Sequence, residues 1–115
     1  MTRLMLSLVL IAGPIATAHA DSDADTEIRA LIQAVAESEC EFNRNGSVYS
    51  AETAAEHLEL KHSRGKRYAD SAEAFIERLA SKSSWSGEPY QMICDGETQP
   101  AGDWLTMRLE GLRSQ

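Results

Sequence analysis

The chain has 115 residues, 43% of them hydrophobic, and a formal net charge of −7, which is ordinary composition for one small globular domain. An acidic excess without a basic tail argues against nucleic-acid binding, which needs clustered Lys and Arg, and equally against docking on an anionic membrane surface. No motif in the sequence identifies a reaction or a ligand. The patterns that remain concern the compartment, the fold and the family.

The N-terminal segment has the order of features of a secretory signal peptide. Arg3 supplies a positive start, residues 4–15 form an apolar run, and Ala18-His19-Ala20 is a small-x-small cleavage signature. The run is shorter than the ~20 residues that span a bilayer. We therefore predict cleavage after Ala20, no membrane anchor, and a periplasmic or secreted single domain of residues 21–115. Its formal charge is −8, because Arg3 is removed with the signal peptide.

The chain contains two cysteines, Cys40 and Cys94, and both remain after the predicted cleavage. Disulfides persist in exported proteins, so a Cys40–Cys94 bridge is expected, with free thiols or a metal pair as alternatives. A zinc site from the two cysteines with His57 and His62 is disfavoured, because such sites normally use a closely spaced cysteine pair. The sequence predicts no bound metal and no cofactor.

The first element of the mature chain is predicted to be an amphipathic helix. Asp25 is its predicted N-cap, and the helix is expected to end near Cys40. Its apolar residues recur at helical spacing, at Ile28, Leu31, Ile32 and Val35.

A β-hairpin is predicted next, because Asn45-Gly46 favours a type I′ turn. In that register Phe42 faces Tyr49. A simple loop between two helices is the alternative.

Two further helices follow. Ser50 is predicted to cap the second, which ends at Gly65 and carries Ala51, Ala54, Ala55 and Leu58 on one side. Asp70 is predicted to cap the third, in a capping box with Glu73. The third helix carries the stripe Ala72, Phe75, Ile76, Leu79 and Ala80.

The last third of the chain begins with a polar loop from Ser81. Tyr90 to Cys94 is predicted to form a short strand beside the hairpin, which would bring Cys94 near Cys40. Residues 95–102 are rich in turn formers, and a last helix with Trp104, Leu105, Leu109 and Leu112 ends in Arg113. The predicted fold class is therefore mainly α, with about four helices and a small β-hairpin or minor sheet in one domain.

His57 and Lys61 are four residues apart and share a helix face, so they could act as an acid/base or anion-binding pair. Alternatively, His57 is a hydrogen-bonded residue at the border of the buried stripe. The serine-rich loop after the third helix lacks the Gly-x-Ser-x-Gly and Ser-x-x-Lys patterns of nucleophilic serines. An enzyme is therefore the less favoured class.

The mature chain contains four ordered motifs: Phe42-x-Arg44-Asn45-Gly46, Ala54-x-x-His57-Leu58-x-x-Lys61, Ser71-Ala72-Glu73-x-Phe75-Ile76 and Ala80-Ser81-x-Ser83-Ser84-x-Ser86-Gly87-x-Pro89-Tyr90. Together these motifs resemble the YfeK-like family, small exported bacterial proteins classed as a domain of unknown function. The resemblance implies a periplasmic or secreted location but no reaction, ligand or partner. Polar residues of the four motifs are the candidates for a binding site: Arg44, Asn45, His57, Lys61, Ser83, Ser84 and Tyr90.

These observations favour a non-enzymatic binding or interaction module of the cell envelope, whose partner is an envelope protein or a small ligand. One alternative is a hydrolase of envelope polymers that uses His57 with a loop serine. Another is an acidic inhibitor that docks on a cationic envelope enzyme through its negative surface.

Overall fold

The computed structural model describes the backbone of residues 20–115 and the side chains of residues 23–115. Residues 1–19 of the predicted signal peptide lie outside the described residues. The described part contains four α-helices and one four-stranded antiparallel sheet, which confirms the predicted fold class. In chain order the elements are α1 (Ala20–Glu37), β1 (Glu41–Arg44), β2 (Ser47–Tyr49), α2 (Ala51–Arg64), α3 (Ala72–Phe75), β3 (Gln91–Cys94), β4 (Glu97–Pro100) and α4 (Ala101–Arg113).

The sheet consists of two hairpins side by side, in the strand order β2-β1-β3-β4. Phe42 pairs with Tyr49, as the Asn45-Gly46 turn predicts, and both turn residues have positive φ. The second hairpin turns at Asp95-Gly96, which also have positive φ. Strand β4 was missed in the sequence analysis, which predicted only turns for residues 95–102. Asp-Gly is a hairpin signal as strong as Asn-Gly.

The central strands β1 and β3 are antiparallel, and Phe42 lies opposite Met92. This pairing brings the ends of the two strands together, and Cys40 is disulfide-bonded to Cys94. The predicted bridge is confirmed. The zinc alternative is wrong, because the two sulfur atoms are bonded to each other and neither is free as a thiolate ligand. The described residues also contain no group of three or more side chains that could hold a metal ion.

The helices cover one face of the sheet and bury the predicted apolar stripes. The first helix departs from prediction at both ends: it begins before Asp25 and ends at Glu37. Asp25 is therefore not the N-cap but a helical residue, whose carboxylate accepts a hydrogen bond from Arg29 at 2.8 Å. Arg113, at the end of α4, donates to Glu27 of α1 and Glu73 of α3. None of the described helices is both long enough and apolar enough to cross a membrane.

Helix caps set the positions of α2 and α3. Ser50 accepts a hydrogen bond from the Thr53 amide, and the Gly65 amide closes the end of α2, both as predicted. The cap of α3 is Ser71, which accepts from the Ala74 amide at 3.0 Å, so the prediction of Asp70 is wrong by one residue. After Phe75 the helix widens into a π-helical segment, Ile76–Ala80, that buries the rest of the predicted stripe.

Candidate functional site

Tyr90 lies at the centre of the candidate site and is only 2% exposed. Its backbone amide donates to the carbonyl of Ser81, and its own carbonyl accepts from the amide of Ala101. Its ring packs against Phe42, with 5.1 Å between the centroids. Because backbone and ring are both held, the hydroxyl points to a defined place beside α2.

Two side chains of α2 meet this hydroxyl. The Nε2 atom of His57 lies 3.2 Å from the Tyr90 oxygen, and Lys61 Nζ donates to it at 3.1 Å. Lys61 also donates to the backbone carbonyl of Lys82 at 3.0 Å. His57 and Lys61 reach the same partner because they lie one helical turn apart, next to the buried Leu58.

Arg44 approaches the same region from the sheet. Arg44 and Tyr90 lie one residue beyond the last pair of the β1–β3 ladder, and Arg44 shares the face of Phe42 because strand side chains alternate. Its guanidinium lies 4.9 Å from the centre of the Tyr49 ring, and it donates to the Tyr49 hydroxyl at 3.4 Å. We call Arg44, His57, Lys61 and Tyr90 the Tyr90 cluster.

The ionisation of the Tyr90 cluster follows from burial and from neighbouring positive charge. Burial, with smaller contributions from Arg44 and Lys61, lowers the pKa of His57 to about 4. Burial and Arg44 lower the pKa of Lys61 to about 8. Burial raises the pKa of Tyr90, although Arg44 opposes this change. At neutral pH the cluster therefore holds a neutral imidazole, a neutral phenol and two cations.

The loop between α3 and β3 is tied to the first hairpin. The hydroxyl of Ser83, which is 5% exposed, accepts from the amides of Trp85 and Ser86 and so closes a turn inside the loop. Ser86 donates to the side-chain oxygen of Asn45 at 2.8 Å. The Trp85 side chain is 94% exposed on this hydrogen-bonded turn.

The predicted site residues therefore have three different surroundings. His57 and Lys61 meet the Tyr90 hydroxyl, and Arg44 is near enough for its charge to affect the pKa of all three. Asn45 is hydrogen-bonded to Ser86 of the loop between α3 and β3, while the Ser83 hydroxyl forms its hydrogen bonds within the turn of that loop. Ser84 is exposed, and its side chain has no polar partner among the described residues. Sequence reasoning missed Ser86 and the Lys82 carbonyl, because no local pattern signals a contact with a residue far along the chain.

The hydroxyl beside His57 belongs to Tyr90 and not to a serine. Ser81 donates to the carbonyl of Glu77, Ser83 is held within its turn, and Ser86 bonds to the hairpin. Within the described residues no serine hydroxyl bonds to His57. A hydrolase that pairs His57 with a loop serine therefore has no support from these contacts.

Comparison with known proteins identifies the family. The family model of DUF5329, a family of unknown function, matches residues 22–113, so the chain belongs to this family. The uncharacterized protein YfeK of Salmonella typhimurium (strain LT2) is 37% identical over 76 residues, which are 65% of this chain. The match spans 63% of that relative. These findings confirm the resemblance to a YfeK-like family. No solved structure matches the chain.

Proposed function

We propose that this protein is exported and acts as a non-enzymatic binding module of the bacterial cell envelope, with the Tyr90 cluster as its binding site. The observation that carries the proposal is the convergence of Arg44, His57, Lys61 and Tyr90 from a strand, a helix and a loop. Polar groups held on a rigid scaffold are where ligands usually bind.

Export is supported by the covalent chemistry of the chain. A Cys40–Cys94 disulfide is stable in an oxidising compartment and rare in the cytosol. The test is to express the full chain in a bacterial host, fractionate the cells and sequence the N-terminus of the purified protein. Periplasmic protein that begins at Asp21 is the expected result. Cytosolic protein that retains residues 1–20 would overturn this part of the proposal.

Binding can be tested on isotopically labelled protein purified from the periplasm of that host. Soluble envelope components, namely cell-wall peptides, amino sugars and glycerol phosphate, are titrated while amide resonances are followed. We expect at least one component to shift resonances around His57, Lys61 and Tyr90. The exposed Lys66 and Arg67 lie outside the Tyr90 cluster, so a Lys66→Ala/Arg67→Ala variant is the control for charge loss elsewhere on the surface.

The proposal requires that the same shifts disappear in an Arg44→Ala/Lys61→Ala variant and persist in the control. Saturable binding that maps to another surface would contradict the assignment of the site. A panel with no binder at millimolar concentration would contradict the binding function itself.

A further inference from the structure

The positive charge of the Tyr90 cluster is not neutralised within the described part of the chain. The ion pairs there link Asp25 to Arg29 and His62, and Arg113 to Glu27 and Glu73. Neither Arg44 nor Lys61 has a carboxylate partner among the described residues, although both side chains are partly buried. Partly buried cations normally pair with an anion, because removing them from water is costly.

Both cations of the Tyr90 cluster form their side-chain hydrogen bonds with neutral groups. The ammonium group of Lys61 has three N–H donors, and two of them bind the Tyr90 hydroxyl and the Lys82 carbonyl. Among the described residues the Arg44 side chain makes one hydrogen bond, to Tyr49, which is long at 3.4 Å. Its contact with the Tyr49 ring leaves the other guanidinium N–H groups available. The cations are therefore fixed in place while donors remain for a further acceptor.

We infer that the Tyr90 cluster binds a small oxyanion, a carboxylate or phosphate group, between Arg44 and Lys61. The inference rests on the proposed function and names the chemical class of its ligand. Charge-assisted hydrogen bonds from guanidinium and ammonium groups to such oxygens are about twice as strong as neutral ones. The anion would supply the counter-charge that the fold leaves out, on a protein whose other charges are mostly negative.

Proton uptake should accompany this binding. The charged and titratable groups around the site are Arg44 from β1, Tyr49 from β2, His57 and Lys61 from α2, and Tyr90 from the loop before β3. A bound anion favours the protonated forms of Lys61 and His57. By linkage, protonation of these two side chains raises the affinity for the anion. In the free protein Lys61 loses its proton above a pKa of about 8. Affinity should therefore fall as the pH rises from 7.5 to 9.5.

The experiment is a calorimetric titration of the periplasmically purified protein with inorganic phosphate and, separately, with succinate, at constant ionic strength. The pH series uses succinate, because both of its carboxylates stay ionised throughout. We expect saturable binding of one or both anions, weakened at least tenfold by Arg44→Ala and by Lys61→Ala. The Lys66→Ala/Arg67→Ala control should bind as the unaltered protein does. The urea midpoint of each variant verifies that it is folded.

Lys61→Arg provides the sharpest test, because arginine keeps its charge throughout this pH range. This variant should bind succinate with an affinity that no longer falls between pH 7.5 and 9.5. Phosphate binding alone would assign the ligand to the phosphate class, and succinate binding alone to the carboxylates.

The inference is overturned if neither anion binds saturably, or if the Lys66→Ala/Arg67→Ala control weakens binding as much as Lys61→Ala does. If a neutral or cationic envelope component still shifts the resonances of the Tyr90 cluster, the proposed binding function stands and only the oxyanion assignment fails. If nothing in that panel binds there either, both proposals fail.

Discussion

The Tyr90 hydroxyl, together with the backbone carbonyl of Lys82, joins the loop before β3 to α2 by hydrogen bonds at the candidate site. It contacts His57 and accepts from Lys61, while its ring lies in the core. One residue thus links the stability of the fold to the geometry of the site.

Replacing Tyr90 with phenylalanine tests this link. The substitution keeps the ring and removes the hydroxyl, so we expect it to lower the free energy of unfolding by about 1 kcal/mol. Urea denaturation measures the change. Tyr49→Phe is the matched control and should cost less, because its bond to Arg44 is long at 3.4 Å. Equal stability of Tyr90→Phe and the unaltered protein would contradict a structural role of the hydroxyl.

The Trp85 side chain, unlike the Tyr90 hydroxyl, is expected to contribute little to the free energy of unfolding. Its side chain is 94% exposed, so Trp85→Ala should change the free energy of unfolding by no more than about 0.5 kcal/mol. Phe75→Ala is the control for a buried aromatic ring and should cost about 3–5 kcal/mol. Both values come from the same urea denaturation experiment. A large loss of stability in Trp85→Ala would mean that the indole packs against the protein.

At the scale of elements, the N-terminus of α3 decides between two adjacent caps. Ser71 accepts the hydrogen bond from Ala74, so Ser71→Ala should destabilise the protein by about 1 kcal/mol. Asp70→Ala should change stability little, since Asp70 is exposed and does not cap the helix. Thermal unfolding of the two variants under identical conditions measures the difference. The reverse order of stabilities would restore Asp70 as the cap.

Most elements could be predicted from local sequence. Helical spacing of apolar residues located the buried stripes, and Asn45-Gly46 located the first hairpin and its register. The choice between Asp70 and Ser71 could not be made this way, because both residue types cap helices well and only the backbone path into α3 selects one. Strand β4 was missed although its Asp95-Gly96 turn was visible in the sequence.

At the scale of the whole molecule, the disulfide joins the two central strands across 54 sequence positions. In the chain-entropy account, closing a loop of this length stabilises the folded state by about 4 kcal/mol. Reduction should therefore lower the urea midpoint strongly. A Cys40→Ala/Cys94→Ala variant should have a low midpoint that the reductant does not change further. An unaltered midpoint after complete reduction would contradict this expectation.

The half-buried His57 and the buried His62 should make the stability of the folded protein depend on pH. Burial is the main cause that lowers the pKa of His57, to about 4, and that of His62. Below their ordinary pKa of about 6.5 the unfolded chain therefore binds protons that the folded protein does not, so the free energy of unfolding falls as the pH falls.

Between pH 7.5 and 5 we expect His57 to contribute a loss of about 1 kcal/mol, a figure reduced for its partial exposure to solvent. Urea denaturation at both values measures the loss, and His57→Gln/His62→Gln should flatten the profile. Three carboxylates with a lowered pKa change the stability only at still lower pH: Asp25, Glu27 and Glu73. A stability that is constant from pH 7.5 to 5 would contradict the burial of the histidines.

The sequence by itself determined the helices, the first hairpin and the family, because periodicity, turn residues and motifs are properties of neighbouring positions. It also placed His57 and Lys61 on one helix face. Only the tertiary structure decided that both meet the Tyr90 hydroxyl, 33 and 29 positions further on, and that Ser86 bonds to Asn45. Such contacts depend on how the sheet and α2 pack together. No local spacing encodes that arrangement.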